Sequence, residues 1–146
     1  NFPNAPGCPD PQGGTTAHDP IMLTLSVRVP TNANSFSLKS FFYSLDRVGE
    51  IQNVKLALPA HGHPFTNLAE RAQSIKAHHH ERLEEIGKIA RELGAADVNA
   101  FMKRLFRERS WGDMAESETY AHLEHLRMAG KATAHRNERG RLIYEL

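Results

Sequence analysis

A chain of 146 residues, 40% of them hydrophobic and 24% charged, can bury one modest core or two very small ones, which excludes a large two-layered domain. Its net charge of +1 provides no overall field that would attract nucleic acid or an anionic membrane. The single cysteine, Cys8, excludes an internal disulfide and a cysteine-rich metal site, and no apolar run approaches the roughly 20 residues that span a bilayer. We therefore expect a soluble, cytoplasmic protein.

Residues 1–43 differ in composition from the rest of the chain. The segment begins with a Pro/Gly-rich loop, and charged side chains are sparse in it. Alternation and β-branched residues predict a strand over residues 21–29, and residues 35–43 favour a second short strand. Because a two-stranded unit is marginal in water, this β-like segment of uncertain origin needs a further sheet to join.

The next segment, residues 44–66, contains the most distinctive loop. A short helical turn is predicted at residues 44–48, and residues 54–58 predict a buried strand. That strand runs into Pro59-Ala60-His61-Gly62-His63-Pro64. A loop bounded by Gly and Pro at the end of a strand is a common place to display a functional side chain.

A long helix is predicted over residues 67–93, capped by Thr66 or Asn67 and ended by Gly94. Its apolar positions recur at three- and four-residue steps and form one packing stripe, made of Leu68, Ala72, Ile75, His79, Leu83, Ile86, Ile89 and Ala90. The adjacent residues His78, His79 and His80 point about 100° away from each other on a helix, so the three cannot converge on one ion.

The last fifty residues predict two further helices and a hairpin. The second helix has the apolar positions Val98, Phe101, Met102, Leu105 and Phe106. The third, over residues 114–129, is capped at Asp113 and ended by Gly130, and it buries Ala115, Thr119, Leu123 and Leu126. Strands at 132–136 and 142–145 flank a turn at 137–140. Three helices followed by a hairpin is a winged-helix pattern, with an expected aromatic core of Trp111, Phe101, Phe106 and Tyr120.

Residues 43–48, the loop 58–65 and the helical segment 71–83 together resemble the metallo-β-lactamase superfamily, in particular its bacterial hydrolases related to glyoxalase II and to the endoribonuclease-like branch. The resemblance covers residues 43–146. It implies that His61, in a Pro-x-His-Gly turn, corresponds to a zinc ligand. It also implies metal-activated hydrolysis of small-molecule thioesters, esters, lactones or phosphodiesters.

The sequence departs from that family in its ligand set. The family's His-x-His-x-Asp-His loop has no counterpart in this chain, and His61-Gly62-His63 continues into Pro64-Phe65. One histidine cannot hold a catalytic zinc, which normally takes three protein ligands. We therefore expect a C-terminal fragment that is inactive alone, with no catalytic residue assigned. Its fold is mainly helical α+β: a β-like segment at 1–43, the end of a metallo-β-lactamase-like core at 44–66, and a long helix with a winged-helix-like domain at 67–146.

Other interpretations remain for several of these residues. Without the resemblance, His61 is an ordinary loop histidine, and His63 is better explained as a neighbouring polar group than as a ligand. Cys8 lacks an evident base for a nucleophilic role. A nucleic-acid-binding winged helix is the alternative function, which the acidic third helix disfavours, although Lys131, Arg136, Arg139 and Arg141 cluster near the hairpin. An interaction module that forms a homodimer through the helical apolar face is a third hypothesis.

Overall fold

A computed structural model describes residues 38–146, so the strand predicted at 21–29 and the interpretation of Cys8 lie outside the described residues. The described part is a mainly helical α+β structure, as predicted. Its helices are α1 (Leu38–Gly49), α2 (Leu68–Leu93), α3 (Val98–Leu105) and α4 (Asp113–Met128), with a 3-10 turn at Glu108–Ser110. Three short strands, β1 (Ala96–Asp97), β2 (Thr133–Arg136) and β3 (Leu142–Glu145), form one antiparallel sheet in the order β1-β3-β2. Between residues 38 and 146, no helix has the length and apolarity needed to cross a bilayer.

Helix α1 corrects the prediction of a strand at 35–43 followed by a short turn at 44–48. One continuous helix runs from Leu38 to Gly49, and it buries Leu38, Phe42 and Val48. Leu38 and Phe42 lie four residues apart, about one helical turn, and so share one face of α1. Packing of α1 against α2 favours the helix here over the predicted strand. A salt bridge from Lys76 Nζ to Asp46 Oδ1, at 2.6 Å, adds to this contact.

The buried strand predicted at 54–58 is wrong for the described structure. Only an isolated bridge between Ala57 and Phe65 forms there, with backbone N–O distances of 2.7 and 3.1 Å. Leu56 and Leu58 are 47% and 54% exposed. The reason is that no other strand of residues 38–146 lies beside this segment, and a strand needs a sheet to bury its side chains.

Helix α2 confirms the prediction for residues 67–93. Ala72, Ile86, Ile89 and Ala90 of the expected stripe are buried, and the helix ends at Gly94, whose φ of 67° is in the left-handed region. Asn67 occupies the N-cap position, but its side chain accepts no capping hydrogen bond, and its Nδ2 instead donates to Glu70 Oε2 at 2.8 Å. The apolar stripe therefore packs inside the chain.

Helices α3 and α4 and the hairpin also follow the predictions. All four expected core residues of α4 are buried, and His122 is buried between them. Strand β1 was not predicted, since two residues show no periodicity. It pairs Ala96 with Tyr144, which places β3 in the centre of the sheet.

The core differs from the predicted aromatic cluster. Phe101 is fully buried, but Trp111 and Tyr120 are 40% and 41% exposed, and Phe106 is only partly buried. Tyr144 of the central strand takes their place, and its hydroxyl donates to Glu124 Oε1 at 2.6 Å. Burial, and then this hydrogen bond to Glu124, raise the pKa of Tyr144. The core cluster consists of Ile86, Ile89, Ala90, Phe101, Leu123, Leu126, Ala132 and Tyr144.

Asp97 joins α3 to the hairpin. Its carboxylate accepts a hydrogen bond from the backbone N–H of Ala100 at 2.9 Å and another from Arg141 Nη1 at 3.0 Å. The bond from Ala100, and then the one from Arg141, hold the pKa of Asp97 below its ordinary value. Asp97 is therefore the N-cap of α3 as well as an ion-pair partner of the hairpin.

Replacing Asp97 with alanine should lower the free energy of unfolding by about 1–2 kcal/mol, because a cap bond and a partly shielded ion pair are lost together. Urea unfolding followed by circular dichroism measures the change. Asp97→Asn is the matched control, since its side-chain oxygen can still cap α3. An asparagine variant as unstable as the alanine variant would show that the cap contributes nothing.

Candidate metal centre between helices α2 and α4

The loop that contains His61 lies between the bridged residues Ala57 and Phe65 and is exposed. Gly62 has a φ of 94°, which lets the chain turn directly after His61. Neither His61 nor His63 belongs to a group of three metal-binding side chains among residues 38–146. The described residues of this loop therefore do not provide enough ligands to hold a catalytic zinc ion by themselves. The assignment of His61 as a zinc ligand stays a prediction.

A different group has the composition of a metal site. His79 of α2 and Glu118 and His122 of α4 each offer one ligand atom, and these atoms all lie within 4.8 Å of one another. Glu118 and His122 are four residues apart, so they share one face of α4. His122 is only 1% exposed, and His79 and Glu118 are partly buried. The packing of α2 against α4 brings His79 next to the two residues of α4.

The two imidazoles are in direct contact. His79 Nδ1 and His122 Nε2 are 3.0 Å apart, and His122 Nδ1 is 2.7 Å from the backbone oxygen of Glu118. Because a carbonyl oxygen can only accept, the proton of neutral His122 lies on Nδ1 and the lone pair on Nε2 faces His79. The structure thus presents an unprotonated nitrogen to the centre of the group.

Burial favours the neutral form of both histidines. It is the largest cause that lowers the pKa of His79, followed by the neighbouring His122. Burial also lowers the pKa of His122, against the opposing effect of its hydrogen bond to Glu118. Neutral imidazole is the form that binds a transition metal.

Arg82 adds a positive charge beside the carboxylate. Its Nε lies 3.6 Å from Glu118 Oε1, too long for a hydrogen bond, and this buried Nε has no hydrogen-bond partner. Its Nη1 donates to the backbone oxygen of Leu105 at 3.2 Å, and its guanidinium lies 4.3 Å from the centre of the Phe106 ring. Arg82 is therefore held by α3 as well as attracted by Glu118.

Aromatic rings of α1 cover the same region. Phe41 meets the His79 ring edge-on at 5.4 Å, and Phe42 stacks on His80 at 4.7 Å. His80 Nδ1 donates to the backbone oxygen of Lys76 at 2.9 Å, so it is engaged away from the cluster. Of the three consecutive histidines, only His79 enters the group, in keeping with their expected divergence.

The sequence predicted none of these three residues as a metal ligand. His79 was expected on the packing stripe of α2, Glu118 only as one of the negative charges of α4, and His122 had no expected role. The spacing of Glu118 and His122 was the available signal, since a carboxylate and an imidazole four residues apart can chelate one ion. That spacing did not show which residue of α2 would complete the set.

Comparisons with known proteins agree with the resemblance of the sequence. No family model and no curated protein matches the chain. Among solved structures, a beta-lactamase domain protein from Burkholderia ambifaria matches with a TM-score of 0.65 and 29% identity over 75% of this chain. A metallo-beta-lactamase family protein from Thermus thermophilus matches with a TM-score of 0.59 and 32% identity, also over 75% of this chain.

The chain is similar to part of a metallo-β-lactamase family protein. It spans only 32% and 33% of the lengths of the two matched chains. The metallo-β-lactamase match therefore concerns about a third of such a protein. The match is consistent with zinc, the metal that the resemblance to this family implies.

Proposed function

We propose that this chain is the C-terminal portion of a metallo-β-lactamase-superfamily metal-dependent hydrolase, and that His61 is its ligand to the catalytic metal centre. The observation that carries the proposal is the partial match, which covers three quarters of this chain but a third of its relatives. Ligands that this loop lacks would then come from the remaining two thirds. Without them we expect no turnover.

The exposed segment before the loop supports this proposal. Leu56 and Leu58 are about half exposed, although their composition suits a buried strand. In a complete hydrolase a neighbouring strand would cover them and place the His61 loop at the edge of a sheet. Residues 67–146 would then form a winged-helix-like unit, with α2, α3, α4 and the β2–β3 hairpin packed beside the hydrolase core. The substrate class is a small thioester, ester, lactone or phosphodiester.

A chimera tests the role of His61. Residues 44–146 replace the matching third of the Thermus thermophilus protein, and zinc content and hydrolysis of one substrate from each class are measured against the unaltered protein. We expect His61→Ala to reduce turnover more than about 100-fold. Replacing a residue that only hydrogen-bonds to a metal ligand already lowers metal affinity or activity about 10–100-fold, and loss of the ligand itself should cost more. His63→Ala is the matched control on the same loop. A His61→Ala chimera with unchanged zinc and turnover would contradict the proposal.

Nucleic-acid binding through the hairpin has weaker support. Arg141 pairs with Asp97 at 3.0 Å, and Arg136 Nη1 donates to the backbone oxygen of Gly140 at 2.7 Å. On α4, Arg127 pairs with Glu124 at 2.7 Å. These partners compete with phosphate for the basic side chains.

A homodimer through the apolar face of α2 lacks support as well, because the most apolar positions of that face, Ile86 and Ile89, are buried within the chain.

A further inference from the structure

We propose that His79, Glu118 and His122 bind one Zn²⁺ ion that cross-links helices α2 and α4. This site is distinct from the one that would include His61, and the inference does not depend on the proposed function. Two imidazole nitrogens and one carboxylate oxygen form a recognised zinc ligand set, with a fourth position left for water or another ligand.

The distances suit a zinc ion. Zinc binds nitrogen and carboxylate oxygen at about 2.0–2.2 Å, so two ligand atoms in a tetrahedral site lie about 3.3 Å apart. His79 Nδ1 and His122 Nε2 are 3.0 Å apart, and the carboxylate of Glu118 completes a group within 4.8 Å. Side-chain rotations that bring the most distant pair, up to 4.8 Å apart, closer by about 1.5 Å would place all three atoms on one ion.

The hydrogen bonds around the group also suit a metal. His122 donates its Nδ1 proton to the backbone oxygen of Glu118, and ligand histidines commonly donate their other ring nitrogen in this way to a backbone carbonyl. The bond fixes the ring and directs Nε2 into the site. His79 needs only the tautomer with its proton on Nε2, and zinc would then replace the hydrogen bond between the two rings.

The neighbouring charges set the expected strength of binding. Arg82, 3.6 Å from Glu118, repels a cation, and the ring of His78 lies 5.8 Å from that of His79. A carboxylate has two oxygens, so Glu118 can face Arg82 with one and bind the ion with the other. We therefore expect specific, one-to-one binding that is weaker than in a site without a nearby guanidinium.

Metal titration of the untagged chain tests the proposal. Cobalt(II) should bind with the visible absorption of a tetrahedral site, and zinc should displace it at one ion per chain. At zinc about tenfold above the dissociation constant, the Tm should rise by roughly 3–6 °C. His79→Gln and Glu118→Gln should each weaken binding at least about tenfold and abolish most of the Tm shift.

Two variants serve as matched controls. His125→Gln changes a histidine of the same helix that contacts Phe42, and His61→Gln changes the exposed loop. Both should bind zinc as the unaltered chain does. The fold of every variant is checked by circular dichroism, and Glu118→Gln is nearly isosteric, so its loss of binding can be separated from unfolding. Absence of zinc binding, equal binding in folded Glu118→Gln, or loss of binding in His61→Gln would each overturn the proposal.

Discussion

Replacing Phe101 with alanine should lower the free energy of unfolding by about 3–5 kcal/mol, the range for a large-to-small change in a packed core. Phe101 is fully buried on the short helix α3, in the same cluster as Ile86, Leu123 and Tyr144. Its ring therefore joins α2, α4 and the sheet. Because domains of this size are stable by only about 5–15 kcal/mol, the loss would remove a large share of the total. Urea unfolding measured by circular dichroism gives the difference.

An exposed aromatic residue provides the control. Tyr43 on α1 is 66% exposed, and Tyr43→Ala should change stability by less than about 0.5 kcal/mol. Phe101→Leu keeps most of the buried volume and should recover much of the loss. A Phe101→Ala variant within about 1 kcal/mol of the unaltered chain would mean that α3 does not anchor the core as described.

The helices from α2 onward could be predicted because their evidence is local. Periodicity and a terminal glycine mark α2, and the same period in α4 correctly selects Ala115, Thr119, Leu123 and Leu126 as its buried residues. The turn after β2 is equally local, since Asn137 Oδ1 accepts from the backbone N–H groups of Arg139 and Arg141 at 3.0 Å. Nothing distant along the chain is needed to form these elements.

The segments before α2 could not be predicted in the same way. Residues 38–43 have the aromatic composition of a strand, but burial of Leu38 and Phe42 against α2 gives a helix. Residues 54–58 have the composition of a strand without a neighbouring strand in the described part of the chain. In both cases the deciding contact is tertiary, and short-range propensity is a weak guide to it.

The candidate metal centre could not be predicted for the same reason, because a tertiary contact forms it. His79 and His122 are 43 residues apart and meet only because α2 packs on α4. The sequence placed His79 on the correct face of α2, but a packing stripe does not show which side chain of another helix it will meet. Two helices with known apolar faces still have several relative registers, and only one of them brings Glu118 and His122 to His79.

Acidification from pH 7.5 to 5.5 should destabilise the chain in buffer that contains a metal chelator. Burial is the largest cause that lowers the pKa of His79, His122 and His125 below the ordinary value of about 6.5. Between the folded-state pKa values and about pH 6.5, the unfolded chain therefore binds more protons than the folded chain. The stability that these neutral rings contribute is complete above about pH 6.5 and is lost as the pH falls through their folded-state pKa values.

The measurement is the urea midpoint at pH 7.5, 6.5 and 5.5. Each histidine can contribute a slope of at most about 1.4 kcal/mol per pH unit. Asp97 and Glu124 do not interfere, because their pKa values are lowered from ordinary carboxyl values and so lie below this window. His122→Gln should lower stability at pH 7.5 by about 1–3 kcal/mol, through the lost hydrogen bonds, and should flatten the pH dependence.

His63→Gln, on the exposed loop, is the matched control and should leave the pH dependence unchanged. A pH profile as steep in His122→Gln as in the unaltered chain would show that protonation of this ring is not what destabilises the fold. In that case acidification would have to act through His79 or His125, and the corresponding glutamine variants would identify which one, because each removes a single titrating ring. A flat profile in the unaltered chain would instead mean that water reaches these rings, which contradicts a His122 that is only 1% exposed.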